Sequence, residues 1–173
     1  MKKTVLSLML ICAISIGFAQ EEERAIELEG VTVSPINLDY MYTVIDKNMP
    51  RSVQKLEQKA ALFDVTELEI YNGQFEAYEV FFEQPNGSII ATYDEEGKII
   101  QSYERFKDIA LPLAIREYIY EKNPGWKIHK DIYVVSYYDN KDVSKIAKVQ
   151  LVKDGLKRNL KVDINEVYQL AQN

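Results

Sequence analysis

The chain has 173 residues, with 21 Lys and Arg against 27 Asp and Glu, and a formal net charge of −6. That length allows one domain with a substantial core, while the acid excess repels phosphate backbones and anionic lipid and so argues against nucleic-acid partners. The single cysteine, Cys12, excludes an internal disulfide and a multi-thiolate metal site.

Lys2 and Lys3 open the chain, an apolar run follows from Val5 to Phe18, and Gly17-Phe18-Ala19 precedes Gln20 and the acids Glu21 to Glu23. This is the pattern of a secretory signal peptide over residues 1–20, too short in its apolar run to span a bilayer. Ile11 is bulky where a lipoprotein anchor at Cys12 needs a small residue. Export to a periplasm or the extracellular space is the expectation, and cleavage would remove Cys12 and leave a net charge of about −8. Residues 21–48 form an N-terminal extension. Within it, Glu27 to Ser34 alternates as a short strand ended by Pro35, and 36–45 reads as a second strand or extended arm.

From residue 49 to 173 the pattern is that of an α+β domain. Pro50 to Phe63 is the first helix, with Val53, Leu56, Ala60 and Phe63 at helical spacing and Pro50 in the first turn. Residues 66–105 read as a β-meander. Tyr78, Val80 and Phe82 share one face of its first strand, and Glu79, Phe81 and Glu83 share the other. Pro85-Asn86-Gly87 and Glu95-Glu96-Gly97 mark its turns. The second helix covers about Leu111 to Lys122, with Asp108 as a candidate cap, and Pro124-Gly125 ends it. Trp126 to Tyr138 is a long strand, and 144–153 with 156–164 form a hairpin around Asp154-Gly155. A faint echo at an offset of 62 residues pairs Met49-Pro50 with Leu111-Pro112, Val53 with Ile115, and Ile70-Tyr71 with Ile132-Tyr133, so a tandem helix-plus-strands repeat is one way to build the domain. The expected architecture is an antiparallel sheet with two helices on one face and the other face open.

The stretch YEVFFEQPNGSIIATYDEEGKII, followed by a helix opened by ALPLAI and closed by EKNPGWKI, resembles the PepSY-like group, which is also described as similar to the β-lactamase-inhibitor-protein fold. The resemblance runs from about Phe75 to Val162 and leaves 21–48 outside it. It implies an exported domain that pairs helices with a curved antiparallel sheet and binds or restrains other proteins, with no catalytic residues to carry over. Similar secreted chains are sometimes labelled nicotinate-nucleotide adenylyltransferases. That activity needs an HxGH-type motif and a phosphate-binding loop, whereas this chain has only His129, between Ile128 and Lys130, and no Gly-rich phosphate loop.

No other motif names a reaction, and no catalytic, metal or cofactor residue is assigned. His129 has no serine signature beside it. Tyr138 to Asp142 holds two acids and an amide, but Lys141 falls where a calcium loop needs an oxygen ligand. Acid pairs for hydrolysis cannot be ranked among 27 candidates. The aromatics are the better lead. Phe81 lies between Glu79 and Glu83, and Tyr133, Val135 and Tyr137 share a strand face, so Phe81, Tyr133 and Tyr137 are expected on the open side of the sheet as interface anchors. A one-residue slip would turn them into the core instead. The sequence thus points to an exported, non-enzymatic binding module for a protein or peptide, such as a modulator or inhibitor of an envelope enzyme. Its alternatives are a small-molecule carrier with an aromatic-lined pocket and, less well supported, a carboxylate-dependent hydrolase.

Overall fold

The computed structural model describes residues 37–171. The signal peptide over 1–20 and the strand expected at Glu27–Ser34 lie outside the described residues.

The first described element is a helix, α1 (Leu38–Val44), where a second strand or an extended arm was expected. Tyr40 and Val44, four residues apart, are both buried, so the apolar period here is that of a helix and not of a strand. Asn37 ties its start to the domain, donating from Nδ2 to the Ala61 and Gly97 carbonyls and accepting the Ile99 N–H at 2.6 Å.

Helix α2 (Arg51–Ala61) follows Pro50, and a short 3-10 turn covers Val65–Glu67. Residues from Leu68 to Glu76, expected to begin the meander, are irregular, and β1 starts only at Ala77. Strands β1 (Ala77–Gln84), β2 (Gly87–Asp94) and β3 (Ile99–Lys107) lead to α3 (Leu113–Lys122). Strands β4 (Lys127–Tyr138), β5 (Ser144–Lys153) and β6 (Leu156–Asp163) lead to α4 (Ile164–Leu170), a helix the alternation of Val162 and Ile164 had concealed. The strands form one six-stranded sheet in sequence order, every pair antiparallel. The protein is α+β with an antiparallel sheet.

Helix α2 lies on β1 and β2, α1 reaches β4, and α4 lies on β5 and β6 and packs on α3. Their apolar side chains join one cluster with Phe82, Ile89, Tyr93, Phe106, Tyr133, Val135 and Leu151 from the sheet. Tyr40 meets Tyr137 edge-on at 5.3 Å and Phe63 meets Phe82 at 5.4 Å, an arrangement aromatic quadrupoles favour.

Between α1 and α4 the element order is helix and three strands, then helix and three strands. Pro50 and Pro112 precede α2 and α3 with matching dihedrals (φ −55°, ψ 146° and φ −52°, ψ 150°), and Val53 and Ile115 are both fully buried. Asp108 is not the cap; it turns the chain out of β3 with φ of 50°. The third pairing of the echo does not hold, because Ile70-Tyr71 lies outside any strand while Ile132-Tyr133 is in β4.

One turn and one bulge fix the registers. Gln84 pairs with Gly87 across Pro85-Asn86. Gly87 is demanded there by space, since a Cβ would sit 2.5 Å from the buried Phe106 ring. In β4 the pairing with β5 shifts between Ile128 and Lys130, leaving His129 as an extra, exposed residue of a bulge.

Candidate functional site

The sheet has two faces of different character. Ile89, Glu104, Val135 and Lys145 stand opposite one another on successive strands and are all buried beneath the helices. One residue along, Phe81, Ile90, Tyr103 and Ser136 form a cross-strand row on the other face. Phe81 is 64 % exposed and Tyr103 44 % exposed. Among the described residues no helix covers that face.

Phe81 therefore lies where the alternation of β1 placed it. Tyr133 and Tyr137 do not: they share a face, as expected, but it is the helix-covered one, where they are 0 % and 3 % exposed. The reason lies in β4 itself. Ile132 and Val134 are apolar too, so both faces of the strand read as core, and the bulge at His129 inverts the phase that Ile128 would carry forward. Tyr103, which sequence reading passed over, takes the place on the open face beside Ile90.

The core face holds an unusual polar cluster. Glu57 from α2 and Glu104 from β3 are both fully buried. Glu57 sits four residues after Val53 on the apolar stripe of its helix. Glu104 alternates inward with Ser102 and Phe106. The Tyr40 hydroxyl donates to Glu104 Oε1 at 2.7 Å, and the Ser102 hydroxyl donates to the same oxygen at 2.9 Å. Glu104 Oε2, both carboxyl oxygens of Glu57 and the Tyr133 hydroxyl have no hydrogen-bond partner among the described residues. Burial pushes the Glu57 carboxyl up to about 9, with the nearby Glu104 charge adding to the rise and Lys145 opposing it. Burial also raises Glu104, to about 7, against the hydrogen bonds from Tyr40 and Ser102 and the charge of Lys145. The two carboxyls act as a pair that holds a proton near neutral pH, chiefly on Glu57. Lys145, 8 % exposed, is lowered by its burial.

Two converging acids are the motif of glycoside hydrolysis, but that chemistry needs a substrate between them. Here both are sealed beneath α1 and α2, and the helix–sheet interface around them is filled by Tyr40, Tyr93, Tyr133 and Phe106, each no more than 1 % exposed. The same filling occupies the place where an aromatic-lined ligand pocket would lie.

On the open face a shallow hollow of about 520 Å³ lies over β4, β5 and β6. Two cross-strand rows bound it. Ile132, Lys148 and Lys161 form one, continued beyond the hollow onto β3 by Lys107, and Lys130, Gln150 and Asn159 form the other. The lysines are exposed and the Gln150 amide donates to Asn159 Oδ1 at 3.3 Å. Lys148 stands directly opposite Lys161. No basic stripe is visible along the sequence, because the four cations come from four strands. One signal was available: counting outward from the Asp154-Gly155 turn sets Lys161 across from Lys148.

The remaining sequence candidates find ordinary surroundings. Asp139, in the segment tested for calcium, pairs with Lys98 at 2.7 Å. Among the described residues no three His, Cys, Asp or Glu side chains are grouped to hold a metal ion, and no helix is long and apolar enough to cross a membrane. Comparison of the chain with protein-family models, with curated proteins and with solved structures finds no match in any of the three.

Proposed function

We propose that this protein is an exported binding module that acts without bond chemistry, receiving a protein partner on the open face of its sheet. One observation carries the reading: α1, α2 and α4 pack on one side of the sheet with α3 against α4, and the other side presents Phe81, Ile90 and Tyr103 in a row with Phe81 and Tyr103 exposed. Aromatic side chains held on a rigid strand lose little entropy on binding and are common anchors of interfaces. The leader-like start, from Lys2 to Ala19, supports export, and the resemblance of Phe75–Val162 to PepSY-like domains points toward protein binding.

The test is capture of partners from envelope extract by the purified protein, compared with a Phe81→Ala, Tyr103→Ala double variant. Retention of a defined partner by the native protein and its loss in the variant, at unchanged melting temperature, is the expected result. Retention unaffected by the double substitution would refute the assignment of this face.

A further inference from the structure

We infer that the open face takes an acidic segment of its protein partner, with carboxylates over the lysine hollow of β4–β6 and an apolar side chain against Phe81, Ile90 and Tyr103. This rests on the reading of the open face as a binding surface and adds the chemistry of what binds there.

The chain carries more acids than bases, yet Lys107, Lys130, Lys148 and Lys161 gather on this part of one face. Lys148 and Lys161 are directly opposed, an arrangement that repels across a strand pair. Among the described residues none of the four has an ion-pair partner; the one such pair is Lys98 with Asp139. The acids nearby are engaged elsewhere. Asp163, on β6 two residues beyond Lys161, accepts the N–H groups of Asn165 and Glu166 at the start of α4. Asp131 faces the core, where it accepts the Ile109 N–H. Arg105 adds a further cation in the adjacent row. The hollow thus holds uncompensated positive charge, with the side-chain amides of Gln150 and Asn159 to hydrogen-bond a carboxylate.

The aromatic half of the face decides between classes of anionic partner. Glu79 and Glu83 flank Phe81 on β1. A polyphosphate or a planar anionic bilayer covering the face would meet those two acids, and the bilayer would also have to fill the hollow. A protein segment can vary its character along its length: apolar over β1–β3, acidic over β4–β6. Tyr103 and Lys107 are four residues apart on β3, roughly 13 Å, and β3 and β5 are separated by roughly 10 Å. An extended segment of about five or six residues spans from the aromatic row to Lys148.

The probe is a synthetic peptide with a Leu-Phe end followed, four residues on, by three Glu at alternate positions. Binding to the protein as exported would be followed by amide shift mapping and fluorescence anisotropy. We expect shifts at Phe81, Tyr103, Lys130, Lys148, Gln150 and Lys161, weakening with added salt, and a loss of at least about tenfold in affinity in Lys148→Glu, Lys161→Glu. That variant puts two acids where two lysines stood, so one like-charge pair replaces another and it should melt close to the native protein. Absence of binding, shifts away from this face, or affinity indifferent to the charge reversal would overturn the inference. So would tighter binding of phosphatidylglycerol vesicles or a sulfated polysaccharide than of the peptide. A photo-crosslinker at Phe81 separates the two readings: if it captures a defined partner in cells and charge reversal leaves that capture intact, the binding face stands and the acidic ligand falls.

Discussion

Replacing Glu57 by Gln tests the account of the buried acid pair. The substitution keeps shape and removes the titrating group. In the folded protein Glu57 is raised from the ordinary 4.5 to about 9, chiefly by burial. An acid with a raised folded value binds its proton more tightly in the native state, so its contribution to stability is full below the unfolded value and is lost as pH rises toward the folded one. In the native protein this predicts falling stability between about pH 4.5 and 9. One pH unit of differential titration is about 1.36 kcal/mol, so the loss by about pH 8 has a ceiling near 5 kcal/mol. Titration shared with Glu104 and relaxation of the site reduce the expectation to about 2–3 kcal/mol. Glu57→Gln should therefore be more stable than the native protein by about that amount near pH 8, and close to it near pH 4.5. Urea denaturation across this range reads the difference directly. Equal slopes of stability against pH in the two proteins, or a variant weakened most at high pH, would refute the reasoning, because both would mean that Glu57 is not held protonated in the fold.

Five further substitutions probe other parts of the same structure. Gly87→Ala should lower stability by about 1–3 kcal/mol in denaturant melts, since its Cβ meets the buried Phe106 ring. The three aromatics singled out by sequence should separate by role: Tyr137→Ala should cost about 3–5 kcal/mol as a core truncation, while Phe81→Ala should stay within about 0.5 kcal/mol. Tyr133→Phe removes a buried hydroxyl that has no partner among the described residues and should be neutral or slightly stabilising, measured by thermal melting. Asp163→Ala removes the side chain that caps α4 and should cost about 1 kcal/mol, with helical signal lost first from the C-terminal segment.

The legible parts of the fold are those where one residue type repeats against a contrasting background. On β1, Glu79 and Glu83 alternate with Tyr78 and Phe82, so the strand, its faces and the exposure of Phe81 follow from the pattern. Pro50 and Pro112 located two helix starts because proline fixes φ where no N–H is needed. On β4 the contrast disappears, since Ile132 and Val134 are as apolar as Tyr133 and Val135, and the bulge breaks the count. Glu57 and Glu104 were concealed for a different reason. Each occupies a core position in its own periodicity, and an acid at such a position reads as a gap in the stripe until a second acid is seen to meet it in space. Helix α4 was lost because Asp163 is both the last strand residue and the cap, so Ile164 continues the alternation by one step before the chain turns.

Net charge and local charge part company in this protein, and the sheet explains how. Antiparallel register sorts each strand's side chains onto two faces, so residues far apart in sequence are averaged in composition but separated in space. Glu57, Glu104 and Asp131 are withdrawn into the core, where burial keeps a proton on the Glu57–Glu104 pair near neutral pH, chiefly on Glu57. Lys107, Lys130, Lys148 and Lys161 are left together outside. At about 0.1 M salt, charges farther than roughly 10 Å apart are largely screened from one another. A carboxylate approaching the hollow therefore responds to the lysines around it and not to the chain's total of −6. An acidic chain can in this way present a binding surface for acids, provided that the pairing of β3 through β6 assembles it.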